Sequence, residues 1–362
     1  MKRTILVLAI TLISTAVLFN SCKKDSTNIE LTTTDPAAVM MTLSAIGYPK
    51  DGGSPTEIAN TIDFFLNQDK LATNGEWKRV WGPGISSDNE NMMYVVKNEK
   101  SIIPEYAIAI RGTNLKSIFD IIEDLDVFDL VPFSYGQTGD KVSAGALDGF
   151  TFLKETTDPK DNTLTLEKFL SSIPQINNTK LYVTGHSQGG SLVPLISYWL
   201  INQDDFKEKF KIISYVFAGP SVVNESFKTN FLGSIQGDTT YNSFENTLDV
   251  MPYYWSSILD INSKNIPVHV PNYLRKHIDS SNAELVDKGI KYYKIATAKP
   301  IGNIPIDSSA RIPIIDTILN IPIDDTLTIY PSDTTLWYLY WMEKEHNYNN
   351  YLKLLGAEPL AQ

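Results

Sequence analysis

The chain is poor in residues that staple or ligate. One cysteine, Cys22, stands in 362 residues, so no intrachain disulfide can form and the fold must be held by its core. Four histidines lie scattered at His186, His269, His277 and His346. With so few, no set has the spacing of a metal site, and neither metal nor cofactor is expected. Positive charge is also scarce: 31 Lys and Arg face 42 Asp and Glu, a net charge of −11. That excess argues against a nucleic-acid partner and against electrostatic adhesion to anionic lipid. The longest apolar run, Ile5 to Phe19, is shorter than the roughly 20 residues that a membrane-spanning helix needs.

What stands at the N-terminus is instead an export pattern. Met1-Lys2-Arg3 precedes the apolar run, and Asn20-Ser21-Cys22-Lys23-Lys24 follows it, giving a positive n-region, an apolar h-region and a small residue before the cut. This resembles a bacterial lipoprotein signal, which implies removal of residues 1–21, lipidation of Cys22 and attachment to the bilayer of the cell envelope as an outer-membrane lipoprotein. The plainer alternative is an incidental cysteine behind an ordinary signal peptide. Losing the two cations Lys2 and Arg3 takes the net charge from −11 to −13. From Cys22 to about Asp35 the chain is polar and Thr-rich, as a tether would be. The remaining residues, 36–362, read as one enlarged domain, expected as a monomer.

Along that domain, helices are expected at Pro36–Ile46 and Pro55–Leu66, each opened by a proline, and around Ser117–Leu125, Ala144–Thr156, Leu164–Ile173 and Gln188–Ile201. A bend is expected at Pro194. Strands are expected at Met92–Lys97, Tyr106–Ile110, Lys180–Thr184, Lys211–Phe217 and Tyr241–Glu245. Strands alternating with helices predict an α/β fold with a mostly parallel central sheet covered on both faces. The stretch 300–335 repeats Ile-Pro at 304–305, 312–313 and 321–322. Prolines at that density point to a surface insertion of edge strands or extended loops. Thr335 to Leu355 is aromatic-rich and helix-compatible.

The most informative segment is Leu181-Tyr182-Val183-Thr184-Gly185-His186-Ser187-Gln188-Gly189-Gly190. A short apolar strand runs into G-x-S-x-G and then into a helix, the sequence form of a nucleophile elbow. The serine must sit on a strained strand-to-helix turn, where glycines leave the room that side chains would fill. A serine nucleophile further needs a base, an acid to orient the base, and oxyanion donors. Arg111-Gly112-Thr113 ends a strand upstream, Ala218-Gly219-Pro220 closes another downstream, Asn246-Thr247-Leu248-Asp249-Val250-Met251-Pro252 gives N-x-x-D-x-x-P, and His346 comes near the end.

Together, in this order, these motifs resemble the class-three lipase family, the triacylglycerol lipase branch of the α/β-hydrolases, over about Asn91 to Leu355. The resemblance implies Ser187 as nucleophile, Asp249 as triad acid and His346 as general base. It implies oxyanion donors at Thr113 and Gln188, and an ester or lipid substrate with no cofactor. The order Ser, Asp, His suits an α/β-hydrolase. In Lys141-Val142-Ser143-Ala144-Gly145-Ala146, Ser143 replaces a histidine usual in the family.

Each assignment has competitors. Asp249 has the form of a turn or cap residue as well, while Asp238 and Asp260 lack its strand context. His186 adjoins the nucleophile, His269 has strand-like flanks and resembles a non-catalytic histidine of the family, and His277 looks like a surface residue. Arg111 is expected as a buried structural side chain in an ion pair. Segment Asn114 to Phe133, apolar with five acidic residues, reads either as a lid or as a packed helix. Different functions also stay open: a binding lipoprotein on an inactive hydrolase scaffold, a phospholipase or feruloyl-type esterase, and, with less support, a peptidase.

Overall fold

The computed structural model describes residues 35–49, 53–87, 89–112, 126–235, 240–263, 270–304, 312–313, 328–329 and 334–361. Contacts divide the chain into Met1–Thr34 and Asp35–Gln362, and every described residue belongs to the second unit. Cys22 and the expected tether therefore lie outside the described residues, as does the helix expected at Ser117–Leu125.

The framework is one sheet of seven strands among the described residues: β1 Trp77–Ile85, β2 Met92–Asn98, β3 Glu105–Arg111, β4 Lys180–His186, β5 Lys211–Phe217, β6 Thr240–Glu245 and β7 Lys299–Pro300. They lie side by side in chain order. β3 through β7 are mutually parallel, and β2 runs antiparallel to both β1 and β3. β2, β3 and β4 read as nearly continuous apolar runs because both faces of the sheet are covered there, leaving the residues between Tyr106 and Arg111 buried. The expected mostly parallel α/β architecture is observed.

One face is covered by helices α1 (Pro36–Ile46) and α2 (Pro55–Leu66), whose bounds match the sequence expectation. Asp35 caps α1 by accepting from the Ala37 N–H at 2.9 Å, and Ser54 with Glu57 forms a capping box on α2. α1 is apolar nearly all round because it is buried nearly all round. The few polar groups it carries inward are paired: Ser44 Oγ lies 2.9 Å from Thr184 Oγ1, which donates to the Met40 carbonyl at 3.0 Å.

The other face carries α3 (Ala144–Glu155) and α4 (Gln188–Ile201), the latter buried along its whole length. α4 runs through Pro194 without a break, so the helix expected there is present. Helix α5 (Asn272–Asp287) comes between β6 and β7, and α6 (Thr334–His346) and α7 (Tyr348–Leu354) follow β7, with Asn347 capping α7 through the Asn349 N–H at 2.9 Å.

Two differences from the sequence expectation have physical causes. β1 is not among the strands expected from the sequence, and it contains Gly82-Pro83-Gly84. It is an edge strand whose register slips between Arg79 and Trp81 and again between Trp81 and Gly84, where such residues are tolerated. Leu164–Ile173 divides into the end of a short strand, Asp161–Thr165, and a helix, Leu166–Ser172, because Thr165 caps the helix at the Lys168 N–H. Of the 300–335 insertion, Ile312–Pro313 pairs antiparallel with Thr328–Ile329; residues 305–311, 314–327 and 330–333 lie outside the described residues.

Candidate active site

The parallel strands deliver the motif residues to one end of the sheet, outside the carboxyl ends of β3 to β6, where ligands of open α/β sheets bind. Gly185 pairs with Ile110 on one side and Val216 on the other, so Ser187 leaves the sheet from a central strand. Ser187 has φ 61° and ψ −131°, a region that costs a residue with a side chain on the order of 1–3 kcal/mol. The turn is held by the Ser187 N–H donating to the Phe217 carbonyl at 3.0 Å and the Ser191 N–H donating to the Ser187 carbonyl at 3.2 Å.

The surrounding glycines are there because backbone occupies the space of a side chain. A Cβ on Gly185 would stand 2.3 Å from the Gly189 carbonyl oxygen, and one on Gly189 would stand 2.5 Å from that of Ile110. Strand, elbow and helix are in contact backbone to backbone.

The three residues drawn from distant motifs meet here. His346 Nε2 lies 2.7 Å from Ser187 Oγ, and His346 Nδ1 lies 2.9 Å from Asp249 Oδ2. All three are buried. His346 arrives at the last turn of α6 and Asp249 in the turn after β6, where the Asp249 N–H donates to the Asn246 carbonyl at 3.1 Å. Burial alone would raise the Asp249 carboxyl. The attraction of His346 and hydrogen bonds from His346, the Met251 N–H and the Tyr351 hydroxyl outweigh it and hold the group below the usual carboxylate value. It is the charged partner of the imidazole.

Two tyrosines frame this run, and the sequence reading did not single out either. Tyr351 donates to Asp249 Oδ2 at 2.7 Å while its oxygen accepts from the Asn246 N–H at 3.1 Å. Burial, and then the negative Asp249, push its hydroxyl far up, so it stays a neutral donor. Tyr48, just past α1, accepts the Gly112 N–H at 3.1 Å and lies 3.1 Å from His186 Nδ1. His186 sits between Tyr48 and His346, its ring 4.8 Å from the His346 ring. Burial and the neighbouring His346 hold it well below the usual histidine value, hence neutral. A five-residue offset from His346 to Tyr351 was the available signal for the first; nothing local flags the second, which is distant in sequence.

Gln188 is the first residue of α4. The opening N–H groups of a helix have no intrahelical acceptor and carry the positive end of its dipole. Thr113, the other expected oxyanion donor, lies outside the described residues, as does His269; Gly112, next to Thr113, packs so closely that a Cβ there would stand 3.0 Å from Ser187 Cβ. Asp260 begins a short helix and His277 is exposed on α5. Asp238 falls outside the described residues. Arg111 is buried, and its guanidinium donates to the Asn89 carbonyl. Ser143 caps α3, accepting the Ala146 N–H at 3.4 Å. Of the lid segment only residues 126–133 are described. They are tied down by the Tyr292 hydroxyl donating to the Val127 carbonyl at 2.6 Å and by Phe128 packing edge-on to Trp255. No group of residues able to hold a metal ion occurs among the described residues.

Residues 107–257 match the family model of the class 3 lipases. No curated protein matches the sequence. Among solved structures, M37 lipase is 26% identical and aligns over 88% of this chain and 92% of its own, with a TM-score of 0.68. A lipase of Rhizopus microsporus var. chinensis is 18% identical over 60% of this chain and 67% of its own (TM-score 0.43), and lipase II of Rhizopus niveus 19% over 60% and 73% (0.42).

Proposed function

We propose that this chain, an α/β-hydrolase and a carboxylic ester hydrolase, cleaves lipid esters with Ser187 as nucleophile, His346 as general base and Asp249 as the acid that orients it. The observation that carries the reading is the unbroken run from Ser187 Oγ to His346 Nε2 at 2.7 Å and from His346 Nδ1 to Asp249 Oδ2 at 2.9 Å. Those distances suit proton transfer in the ground state.

Ser187 Oγ attacks the ester carbonyl as its proton passes to His346 Nε2. The imidazolium so formed is stabilised by the Asp249 carboxylate, which also fixes the tautomer. The N–H of Gln188 at the head of α4, with Thr113, stabilises the tetrahedral oxyanion. His346 returns the proton to the leaving alcohol, an acyl-enzyme remains on Ser187, and water activated by His346 releases the acid. The likeness to M37 lipase and the class 3 lipase match support an acylglycerol as substrate. The n-region, apolar run and Cys22 support export and lipid anchoring in a bacterial outer membrane, which would place the enzyme beside such substrates.

The test is hydrolysis of p-nitrophenyl esters of increasing acyl length by the protein lacking residues 1–22, with Ser187→Ala alongside. Wild-type turnover that falls to near background in the variant is expected, a loss of about 10⁶-fold if Ser187 behaves as other serine nucleophiles do. Turnover surviving in Ser187→Ala would sink the mechanism.

A further inference from the structure

The acid and the base are 97 positions apart, and they arrive on different elements. Their 2.9 Å contact therefore needs something that registers the turn after β6 against the end of α6. The last carbonyls of a helix lack intrahelical donors, and the Glu345 carbonyl, immediately before His346, is one of them. It is met by the Asn246 side chain, whose Nδ2 donates to it at 2.9 Å and to Glu345 Oε2 at 2.6 Å.

The other end of the same amide is equally committed. Asn246 Oδ1 accepts the Leu248 N–H at 3.0 Å, and the Asn246 carbonyl accepts the Asp249 N–H at 3.1 Å. One side chain thus shapes the turn that presents Asp249 and caps the helix that presents His346. The main-chain N–H of Asn246 completes the link through Tyr351, whose hydroxyl passes on to Asp249. Asn246 and Glu345 are fully buried, and Asn350 Nδ2 adds a long contact of 3.4 Å to Glu345 Oε2. With donor facing two acceptors and acceptor facing a donor, the amide has one satisfactory orientation.

We propose that Asn246 and Glu345 are positioning residues, a clamp that holds the acid-bearing turn to the base-bearing helix and so sets the Asp249–His346 hydrogen bond. The clamp rests on the triad reading above. It touches neither substrate nor reacting atoms. Asn246→Asp replaces the donor by an oxygen facing the Glu345 carbonyl and carboxyl while keeping the acceptor for Leu248. Glu345→Gln keeps a carbonyl oxygen to receive the Asn246 amide. Combining the two reverses donor and acceptor in the side-chain pair.

The experiment compares full-length wild type, Ser187→Ala, Asn246→Asp, Glu345→Gln and the double variant on one soluble p-nitrophenyl ester, together with the far-downfield proton resonance of the His346 to Asp249 hydrogen bond. In Asn246→Asp, kcat falls about ten- to a hundredfold, as expected for an ångström-scale misplacement; KM is held and the resonance is lost or shifted. Glu345→Gln stays close to wild type, and the double variant recovers part of kcat. If Asn246→Asp keeps both kcat and the resonance, the clamp is wrong. A kcat that falls only in step with the folded fraction, with the resonance unchanged in the remainder, overturns it equally. Should Asn246→Asp fail to fold, Glu345→Leu, which removes only the side-chain acceptor, is judged by the same two readouts. Absence of Ser187-dependent turnover in wild type would defeat the hydrolase reading instead, leaving the resonance to decide the clamp.

Discussion

Two carboxyls buried at the same place are held in opposite directions. Asp249 is burdened by burial but is held low by the attraction of His346 and by its donors. Glu345 is raised, chiefly by burial and then by the negative Asp249, against the hydrogen bond from Asn246. The signs for stability are therefore opposite. Asp249 contributes stability that is present above its unfolded value and lost as pH falls through its lower folded value. Glu345 holds its proton longer folded than unfolded, so its contribution is full below the ordinary glutamate value of 4.5 and is lost as pH rises through the folded one. Glu343 is raised as well, again mainly by burial, so wild type alone does not isolate Glu345. The difference from Glu345→Gln does: in urea unfolding between about pH 4 and pH 8, the variant loses less stability with rising pH than wild type. Parallel curves would show that the Glu345 carboxyl is not held protonated. This environment was not legible locally, because Lys344-Glu345-His346 reads as an ordinary charged helix end; only Asn246 and Asn350, brought in by the fold, make it an interior.

At the scale of elements, the elbow is a junction of strand, turn and helix in which the glycines carry the geometry. Gly189→Ala places a methyl 2.5 Å from the Ile110 carbonyl oxygen and 2.9 Å from the Arg111 carbonyl carbon. Both are backbone atoms of a central strand that cannot yield. A loss of about 1–3 kcal/mol or more is expected, with fluorophosphonate labelling of Ser187 reduced in the protein that still folds. Gly233 lies in the helix Glu225–Ser234, where an added Cβ meets nothing within 4 Å. Gly233→Ala is expected to gain about 0.5–1 kcal/mol, so the pair separates crowding from helix propensity in a single urea series. If Gly189→Ala unfolds at the wild-type midpoint, the close contact of elbow and β3 is not structural. The elbow was legible because its demands are local. Helix α5 was missed although Leu274, Ile278 and Leu285 are buried at helical spacing, a faint periodicity in a polar segment without a capping side chain at Pro271.

For the whole molecule, the proposed lipid anchor is a question of address rather than of fold. Cys22→Ser in the producing cell is expected to move the protein from the membrane fraction to the soluble fraction while p-nitrophenyl ester turnover per molecule is retained. Retention of the Cys22→Ser variant at the membrane would remove lipidation as the anchor. The sequence by itself determined the alternation of strands and helices, the elbow, and the acid and base candidates, because strand runs, glycine turns and caps are written in adjacent residues. What only the tertiary structure decided is which distant groups complete them. Tyr48 reaches Gly112 and His186 across 64 and 138 positions, and Asn246 reaches Glu345 across 99. Such pairings follow from how the sheet orders its strands and where α6 returns to its carboxyl edge. Burial then turns those polar side chains from solvated surface groups into obligate hydrogen-bond partners.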